Sequence, residues 1–538
     1  MSRRASRTML GLVTGASLCG VAHADRPEFG AFMELKQLVD VQLHGDGFDR
    51  DDDVTYTELS GQLTARIRNR RVVASGTYRL IYRIPETGDV NNSISHDGVM
   101  RLQANLINDW LTMETGAIIT RSRIDPSGAA PQLNSANLNN LTQTYSVFVE
   151  PTLSHRFGDV TVAGRYRYAY TQNESHRTTV PIGPVTNRFD SSHFQQANLS
   201  LGMVRTALPF DWNISSEYRH ENTTNLAQHY RSINVLAEVK VPVLPTVALV
   251  TSGGYERTRT SERDPLIDPV TGLPVLDRNG RFVVDPASPR FLTYDVDGLI
   301  ADGGVIWKPS RRTRLEARAG YRFGGLSVTG LLEMKPSEKS GLTFIVTDRI
   351  DSFAQSVSTG LASSPADLDL GQSLDPGNPF QNCLFGKAAG SGRCIGGALG
   401  LASANIYRER AASVIFKHRV RRWTLLSSLG YSHRRYIDRP GTQFSLLGVV
   451  DEIYFGDMKI TGQLSQRSGV TFSFAGNLFK NGQVGASDVT SGSIGTDYYR
   501  TFGRGVRAQA GFAVEATKQD GITADVSGRA QLGVQYQF

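Results

Sequence analysis

Two cysteines have a spacing that could form a covalent bond. Cys383 and Cys394 enclose the Gly-rich segment CLFGKAAGSGRC. In an exported chain, two nearby thiols in such a loop predict a disulfide, with a pair of free thiols as the alternative. No histidine lies close to them in the sequence, so they predict no zinc site.

A second group consists of arginines that recur at alternate positions, as in the segment GRYRYAYT. In the barrel that the sequence predicts below, the arginines that we assign to the lumen-facing side are Arg165, Arg167, Arg219, Arg314, Arg318, Arg507 and Arg529. One interpretation is a basic lining that favours anionic solutes or an anionic polymer. The alternative, which we favour, is an Arg/Glu ladder that ties a polar wall together.

Two further segments resemble sites but lack what the chemistry needs. SISHDG holds Ser95, His96 and Asp97 in a predicted loop, yet adjacency in sequence does not make a catalytic triad. Segment 258–296 is rich in Asp and Pro, but its DRNG stretch lacks the spaced acids and terminal Glu of a calcium loop. We interpret it as a turn-rich external hairpin. We predict no catalytic, cofactor-binding or metal-binding residue, and no enzyme.

The start of the chain predicts export. Residues 1–24 combine three arginines, a short apolar stretch and an Ala-His-Ala ending, which is typical of a Sec-type signal peptide cleaved after Ala24. Losing those three arginines takes the formal net charge from +7 to +4. So small a charge predicts no nucleic-acid partner.

A two-residue period indicates strands throughout. In ITADVSGRAQLGVQYQF the even-numbered positions from Ile522 to Phe538 are apolar or small, and the odd-numbered ones are mostly polar. A strand needs about 9–11 residues to cross a bilayer. No run of about 18 apolar residues that would predict a transmembrane helix follows the leader. The pattern therefore predicts membrane-spanning strands.

The connections alternate between short and long along the whole chain. The short ones fall at 68–71, 108–109, 157–159, 208–211, 242–245, 308–312, 335–340, 420–422, 465–469 and 502–505. Between them lie longer polar stretches, such as 85–97, 123–140, 172–192, 258–296 and 351–406. This alternation predicts an all-β, antiparallel up-and-down transmembrane barrel of about 22 strands (18–22), with short periplasmic turns and long extracellular loops.

Such a barrel must close, because an open edge in lipid leaves unpaired backbone groups. We therefore expect the last strand to pair with the first. The triplet Val534, Tyr536 and Phe538 matches the C-terminal pattern that the barrel-assembly machinery recognises, and we predict that it is the assembly signal.

The predicted domains are the signal peptide 1–24, a short periplasmic segment 25–32 and the barrel 33–538. About 22 strands enclose a lumen that needs a plug or holds a channel. Segment 25–32 is too short for the N-terminal plug domain of TonB-dependent transporters. We therefore expect any filling to come from loops 258–296 and 351–406.

The mature chain resembles a family of uncharacterised alphaproteobacterial outer-membrane barrels. Segments that carry the resemblance include NLTQTYSVFVEPTLSHRFGDVTVAGRYRYAYT, GLIADGGVIWKPSRRTRLEARAGYR, NPFQNCLFGKAAGSGRCIGGAL and YYRTFGRG. That family is similar in layout to outer-membrane proteins associated with exopolysaccharide and PEP-CTERM (exosortase) systems, and some relatives are labelled preprotein translocase subunit YajC. The resemblance implies the barrel and supplies no functional residues.

Two functions remain open at this point. The first is a porin-like or export channel in a Gram-negative outer membrane, with an anionic polysaccharide as a candidate cargo. The alternative is a loop-filled structural or secretion-accessory barrel without open-channel activity. Expected partners are outer-membrane lipid, the barrel-assembly machinery and, for either function, a polysaccharide-export or secretion apparatus.

Overall fold

The chain forms a single closed ring of strands. The computed structural model describes residues 27–44, 53–88, 92–124, 140–174, 188–204, 208–370, 383–395, 399–438, 445–521 and 523–538. The predicted signal peptide 1–24 lies outside these residues. Twenty-two strands make up one antiparallel sheet in which consecutive strands pair and β1 also pairs with β24.

The strands that form the barrel are β1 (Glu28–His44), β2 (Val54–Arg68), β3 (Val72–Pro85), β4 (Ser93–Ile107), β5 (Leu111–Arg123), β6 (Leu141–Phe157), β7 (Val160–Asn173), β8 (Ser191–Met203), β9 (Asp211–Thr223), β10 (His229–Leu244), β11 (Val247–Glu262), β12 (Phe291–Ser310), β13 (Thr313–Arg322), β14 (Gly325–Ser337), β15 (Ser340–Asp351), β18 (Ile406–Val420), β19 (Trp423–Ile437), β20 (Val450–Gln463), β21 (Ser468–Lys480), β22 (Val489–Phe502), β23 (Val506–Gln519) and β24 (Asp525–Gln537).

The described residues between β15 and β18 form three smaller elements. They are the helix α1 (Phe353–Ala362) and two short strands, β16 (Cys383–Phe385) and β17 (Gly392–Cys394), which pair with each other as a separate hairpin. A single 3-10 turn, Asn225–Ala227, separates β9 from β10. Across the described ranges, no helix has the length and apolarity needed to span a membrane.

The seam between β1 and β24 confirms the predicted closure. Phe32 lies opposite Gln537 and Asp40 lies opposite Arg529. The first strand begins at Glu28 rather than at residue 33, so most of segment 25–32 belongs to the barrel. The reason is that the outward alternation already starts at Phe29, whose side chain is 74% exposed.

The predicted alternation of short and long connections holds with two exceptions at the long-loop end, where five residues join β9 to β10 and two residues join β13 to β14. Each of the ten predicted short turns joins two neighbouring strands at the same end of the barrel. One predicted loop, 85–97, is shorter than expected, because β4 already begins at Ser93. Outward Ile94 and His96 alternate with inward Ser95 and Asp97, and this period-two pattern continues the strand.

Aromatic side chains mark both edges of the membrane. All four tryptophans, Trp110, Trp212, Trp307 and Trp423, lie next to the short turns. Tyrosines such as Tyr431 face outward nearer the long loops. Trp423 and Tyr431 are eight residues apart on β19, which is about 20 Å along the membrane normal at the usual rise and tilt.

Between these edges the outward face is apolar and exposed, with Leu299 at 79% and Leu532 at 67%. A closed barrel with an apolar belt and aromatic girdles is the architecture of an outer-membrane protein. The chain is therefore a transmembrane β-barrel of a Gram-negative outer membrane, as predicted from its sequence.

Candidate functional site

The lumen is filled by the chain between β15 and β18. We name residues 352–405 the plug; its described parts are 352–370, 383–395 and 399–405. α1 begins at the N-cap Ser352, whose Oγ accepts a hydrogen bond of 3.1 Å from the Gln355 backbone N–H. The helix packs along the inner faces of β5–β8. Of the two candidate loops, 351–406 is the one that enters the barrel.

The first wall that holds the plug is apolar, which is unusual for a barrel lumen. The helix buries Phe353, Val357 and Leu361, which recur one turn apart and are at most 1% exposed. The wall residues in the same cluster are Val99, Ile118, Phe148, Ala169 and Phe194, on β4–β8. Burial of three large side chains here stabilises docking of α1 by several kcal/mol, at roughly 1.5–3 kcal/mol per side chain.

The second wall contacts the β16–β17 hairpin. Cys383 and Phe385 face a cluster made of Ile415, Leu426, Ile453, Phe455 and Phe479, on β18–β21. Leu384, between them, faces the other way and joins the cluster that contains α1. β4–β8 and β18–β21 lie half a turn of the ring apart. The plug therefore bridges opposite walls of the barrel.

The predicted cysteine pair lies in this hairpin. Cys383 and Cys394 are directly opposite each other in the β16–β17 ladder and are bonded as a disulfide. Arg393, next to Cys394, is partly buried. That burial and the positive charge of Arg349 lower the pKa of the Arg393 guanidinium to about 10. It stays protonated at neutral pH, so the hairpin carries a cation into the lumen.

Hydrogen bonds tie the start of the plug near the extracellular end of β9. Glu221 accepts hydrogen bonds from Ser352 Oγ at 2.8 Å and from Gln355 Nε2 at 2.6 Å. Arg219, two residues away on the same inner face, lies 3.9 Å from Asp351. Because both carboxylates are buried, these partners are needed to offset the loss of water.

At the end of α1 the barrel supplies a cation. Arg101 of β4 donates from Nη2 to the Ala362 carbonyl at 2.9 Å and from Nε to the Ser364 carbonyl at 3.2 Å. A guanidinium at this position satisfies carbonyl groups that a helix leaves without partners, and its charge favours the negative end of the helix dipole.

The plug then reaches the periplasmic end of the barrel. Asp367 forms ion pairs with Arg66 and with Arg68, the latter at 3.1 Å, where β2 ends. Ser75, near the start of β3, accepts a hydrogen bond of 2.8 Å from the Leu368 backbone N–H. These contacts hold the lowest part of the first plug segment.

The hairpin is tied at the same depth on the other side. Lys417, near the periplasmic end of β18, donates from Nζ to Asp369 at 2.7 Å and to the Gly386 carbonyl at 3.0 Å. Thr343 of β15 donates to the Gly390 carbonyl at 2.5 Å. The plug thus extends from the extracellular rim to the periplasmic mouth.

The seven predicted lumen-facing arginines all lie on the inward side of their strands. The pairs are Arg167–Glu150 at 2.5 Å, Arg165–Glu150 at 3.8 Å, Arg219–Glu217 at 2.5 Å, Arg314–Glu316 at 2.8 Å, Arg318–Glu238 at 2.6 Å and Arg529–Asp40 at 2.5 Å. Arg507 instead stacks on the Tyr499 ring at 3.4 Å. The wall is therefore a ladder of mixed charge.

The remaining sequence candidates are dispersed. Ser95, His96 and Asp97 belong to β4 rather than to a loop, and alternate faces separate the histidine from the other two; His96 Nδ1 pairs with the Tyr78 hydroxyl at 2.7 Å. The C-terminal residues Val534, Tyr536 and Phe538 point into the membrane, 46–70% exposed. None of these residues contributes to the plug contacts described above.

Loop 263–290 forms an external hairpin. Asp268 Oδ1 accepts from the Val270 N–H at 2.8 Å, and Asp277 Oδ1 accepts from the Asn279 N–H at 2.8 Å. The aspartates thus cap their own turns. Within the described ranges, no three His, Cys, Asp or Glu side chains converge as metal ligands.

The sequence interpretation did not identify the inner apolar walls. Val99 and Phe148 face the lumen in strands whose outward faces are apolar too. Apolar residues on both faces in the middle of a strand were the available signal, because a water-filled lumen would place polar residues there.

No protein-family model and no curated protein sequence matches this chain. Among solved structures it is similar to the siderophore receptor PiuA of Acinetobacter baumannii, at 9% identity over 95% of this chain and 82% of that chain, with a TM-score of 0.44. It is also similar to the open form of the ferric-catecholate import receptor Fiu of E. coli K12, at 8% identity over 96% and 82%, with a TM-score of 0.45. A third is the FrpB iron transporter of Neisseria meningitidis, at 9% identity over 95% and 81%, with a TM-score of 0.42. Similarity this low carries no ligand from those receptors to this chain.

Proposed function

We propose that this protein is a gated transport barrel whose plug closes the lumen and shifts to let solute pass. The observation that carries the proposal is the plug itself, which spans the lumen from rim to mouth and from wall to wall. A ring of 22 strands has a backbone diameter of about 40–45 Å at the usual strand spacing and tilt. A protein that only anchors itself in the membrane does not require a lumen of that width.

The contacts of the plug support a docked element that can shift as a unit. Apart from the disulfide inside the hairpin, the described plug contacts are hydrogen bonds, ion pairs and apolar packing. The walls on either side of the bridge include polar inner faces, such as that of β13, where Arg314 is 44% exposed. These faces suit a hydrophilic solute once the plug has shifted.

The identity of the transported solute is the more specific part of the proposal. Inward arginines favour an anionic polysaccharide, but most of them are paired with carboxylates. A ladder of paired charges favours hydrophilic solutes of either sign over a strictly anionic polymer. We therefore propose small hydrophilic solutes and treat polymer export as an outcome of the test below.

Planar-bilayer conductance tests this function. We compare the wild type with a variant in which residues 353–404 are replaced by a short Gly-Ser linker, and with a control that lacks residues 265–287 of the external hairpin. The wild type and the control are expected to show low conductance with brief openings. The plug deletion is expected to raise the conductance at least about tenfold, because it opens a water-filled lumen.

Two results would contradict the proposal. If the wild type is as conductive as the plug deletion, the plug does not close the lumen. If the wild type never opens and variants with weakened plug contacts never open either, the protein is a loop-filled accessory barrel. Dextrans of graded size, added to the deletion variant, then report whether a polymer can pass.

A further inference from the structure

The lipid-facing side of the barrel carries an apolar groove. It crosses the outer faces of β15 and β18–β22 and has a volume of about 670 Å³. Its large side chains, Phe344, Leu429 and Tyr454, are 38%, 57% and 38% exposed, and Gly456 and Gly476 lie between them. A Cβ added at Gly476 would meet a single neighbouring atom within 4 Å, the Ser491 carbonyl oxygen at 3.7 Å. The groove at this point is therefore open to the membrane.

A row of charged residues lies directly above the groove, two positions nearer the extracellular end of each strand. The strand pairing places Arg410 opposite His433, His433 opposite Glu452, and Glu452 opposite Lys480. On β15 and β18–β21 the outward charged and titratable residues at this rim are Arg408, Arg410, His433, Arg435, Lys480, Asp348 and Glu452. Four Arg and Lys side chains face two carboxylates, so the row carries net positive charge.

The two carboxylates of the row already have partners. Asp348 lies 2.7 Å from Arg408. Glu452 accepts a hydrogen bond of 2.8 Å from the Tyr431 hydroxyl and lies 3.5 Å from Lys480. Arg410 is about half exposed; it lies 3.6 Å from Asp348 and donates to the Leu326 carbonyl at 2.9 Å. Because four cations share two carboxylates, a net positive charge remains at the membrane surface.

We propose that the groove and this row bind one anionic, phosphorylated lipid of the outer leaflet. The acyl chain lies in the groove below the Tyr431–Tyr454 girdle, and Arg410 and Lys480 contact the phosphate. Cationic side chains at a membrane surface favour anionic headgroups, and charge-assisted hydrogen bonds to phosphate are strong. A second copy of the barrel related by a twofold axis would bring an identical positive row against this one, which disfavours it as the occupant.

Native mass spectrometry of the detergent-solubilised barrel tests the site. The probe is hexa-acylated, bisphosphorylated lipid A, compared with phosphatidylcholine and inorganic phosphate. Gly476→Leu fills the groove, and Arg410→Gln with Lys480→Gln removes the headgroup contacts. Each change is expected to lower lipid A occupancy by about tenfold, the first because leucine occupies the position of the acyl chain and the second because charge-assisted contacts to phosphate are lost. Phosphatidylcholine and inorganic phosphate are expected to bind weakly to all variants.

Matched controls keep the test independent of folding. Gly303 also faces outward, on β12, with no atom within 4 Å of an added Cβ, so Gly303→Leu should retain lipid A. Arg259, exposed near the extracellular end of β11 and 3.0 Å from Asp295, lies far from the groove and gives the control Arg259→Gln. Heat-modifiable gel migration shows which variants are folded. If Gly476→Leu does not fold, the variant with Arg410→Gln and Lys480→Gln tests the proposal by itself.

Three outcomes would overturn the proposal. In the first, lipid A occupancy is unchanged in both site variants. In the second, the controls lose as much lipid as the site variants. In the third, the wild type is a dimer that Gly476→Leu converts to a monomer, which would make the groove an interface between copies.

Discussion

Arg68 of β2 lies 3.1 Å from Asp367 of the plug, at the periplasmic mouth of the barrel. The plug leaves the wall at the extracellular end of β15, so this ion pair marks how far it descends. Arg66, 14% exposed, pairs with the same carboxylate. One acidic side chain thus fixes the lowest part of the plug through two cations of the wall.

We expect Asp367→Asn to loosen the plug at its periplasmic end. The change removes the charge from the largely buried contact with Arg66, which contributes about 1.5–3 kcal/mol, and from the exposed contact with Arg68, which contributes about 0.2–1 kcal/mol. Openings in planar bilayers should become at least about fivefold more frequent, with unchanged size. Asp159→Asn is the control, because its ion pair with Arg156 is exposed in a short turn. Equal effects of both variants would show that the contacts of Asp367 do not hold the plug closed.

The disulfide should hold the hairpin in its docked form. Replacing both Cys383 and Cys394 with Ser removes a cross-link across a loop of about ten residues, which is expected to cost about 3 kcal/mol in hairpin stability. Limited proteolysis should then cut the plug near residues 386–391, where the wild type resists. Dithiothreitol should reproduce the effect in the wild type and leave the serine variant unchanged. If the serine variant is cut first outside residues 386–391, the disulfide does not hold the hairpin in its docked form.

Helix α1 should depend on its apolar contact with β4–β8. Leu361→Ala is expected to destabilise docking by about 2–5 kcal/mol, because it leaves a cavity in a cluster where Leu361 is fully buried. Hydrogen exchange of residues 353–362 should accelerate strongly while the barrel strands stay protected. Leu299→Ala, at a side chain 79% exposed to lipid, provides the comparison and should change nothing in the plug.

Phe538 should matter for assembly more than its lipid contact explains. Its ring packs against Tyr536 at a centroid distance of 4.9 Å and is 70% exposed. Removing Phe538 should lower the amount of folded barrel in the outer membrane severalfold, as judged by heat-modifiable migration. Phe29→Ala removes an equally exposed ring at the same end of the barrel; if it lowers the yield as much, the residue is a lipid contact rather than a signal.

The sequence predicted the wall and two candidate loops for its filling, but it did not say which loop enters the lumen, for a physical reason. In lipid, each strand must alternate and each short turn must be polar, so β13 and β24 were readable from local pattern alone. Which loop enters a lumen depends on contacts between distant segments. In loop 263–290 aspartates such as Asp268 satisfy their own turns, whereas Phe353, Val357 and Leu361 require a partner surface.

The partner surface was hidden for a related reason. Val99 and Phe148 are apolar on the inward side of strands that are also apolar outside, and a single strand does not tell which face meets lipid. The seven arginines lie on the inner side of the wall. Their carboxylate partners come from the same strand, as Glu217 does for Arg219, from the adjacent strand, as Glu150 does for Arg167, or from three strands away, as Glu238 does for Arg318. Pairing across strands decides whether such a cation attracts solute or ties the wall.

The cross-linked hairpin has a consequence for biogenesis. Protein disulfides form in the oxidising periplasm, so Cys383 and Cys394 meet before the chain leaves that compartment. The hairpin is therefore already cross-linked when the strands enter the bilayer. Because the plug precedes β18–β24 in the chain, we expect the β1–β24 seam to close around a hairpin that has already folded.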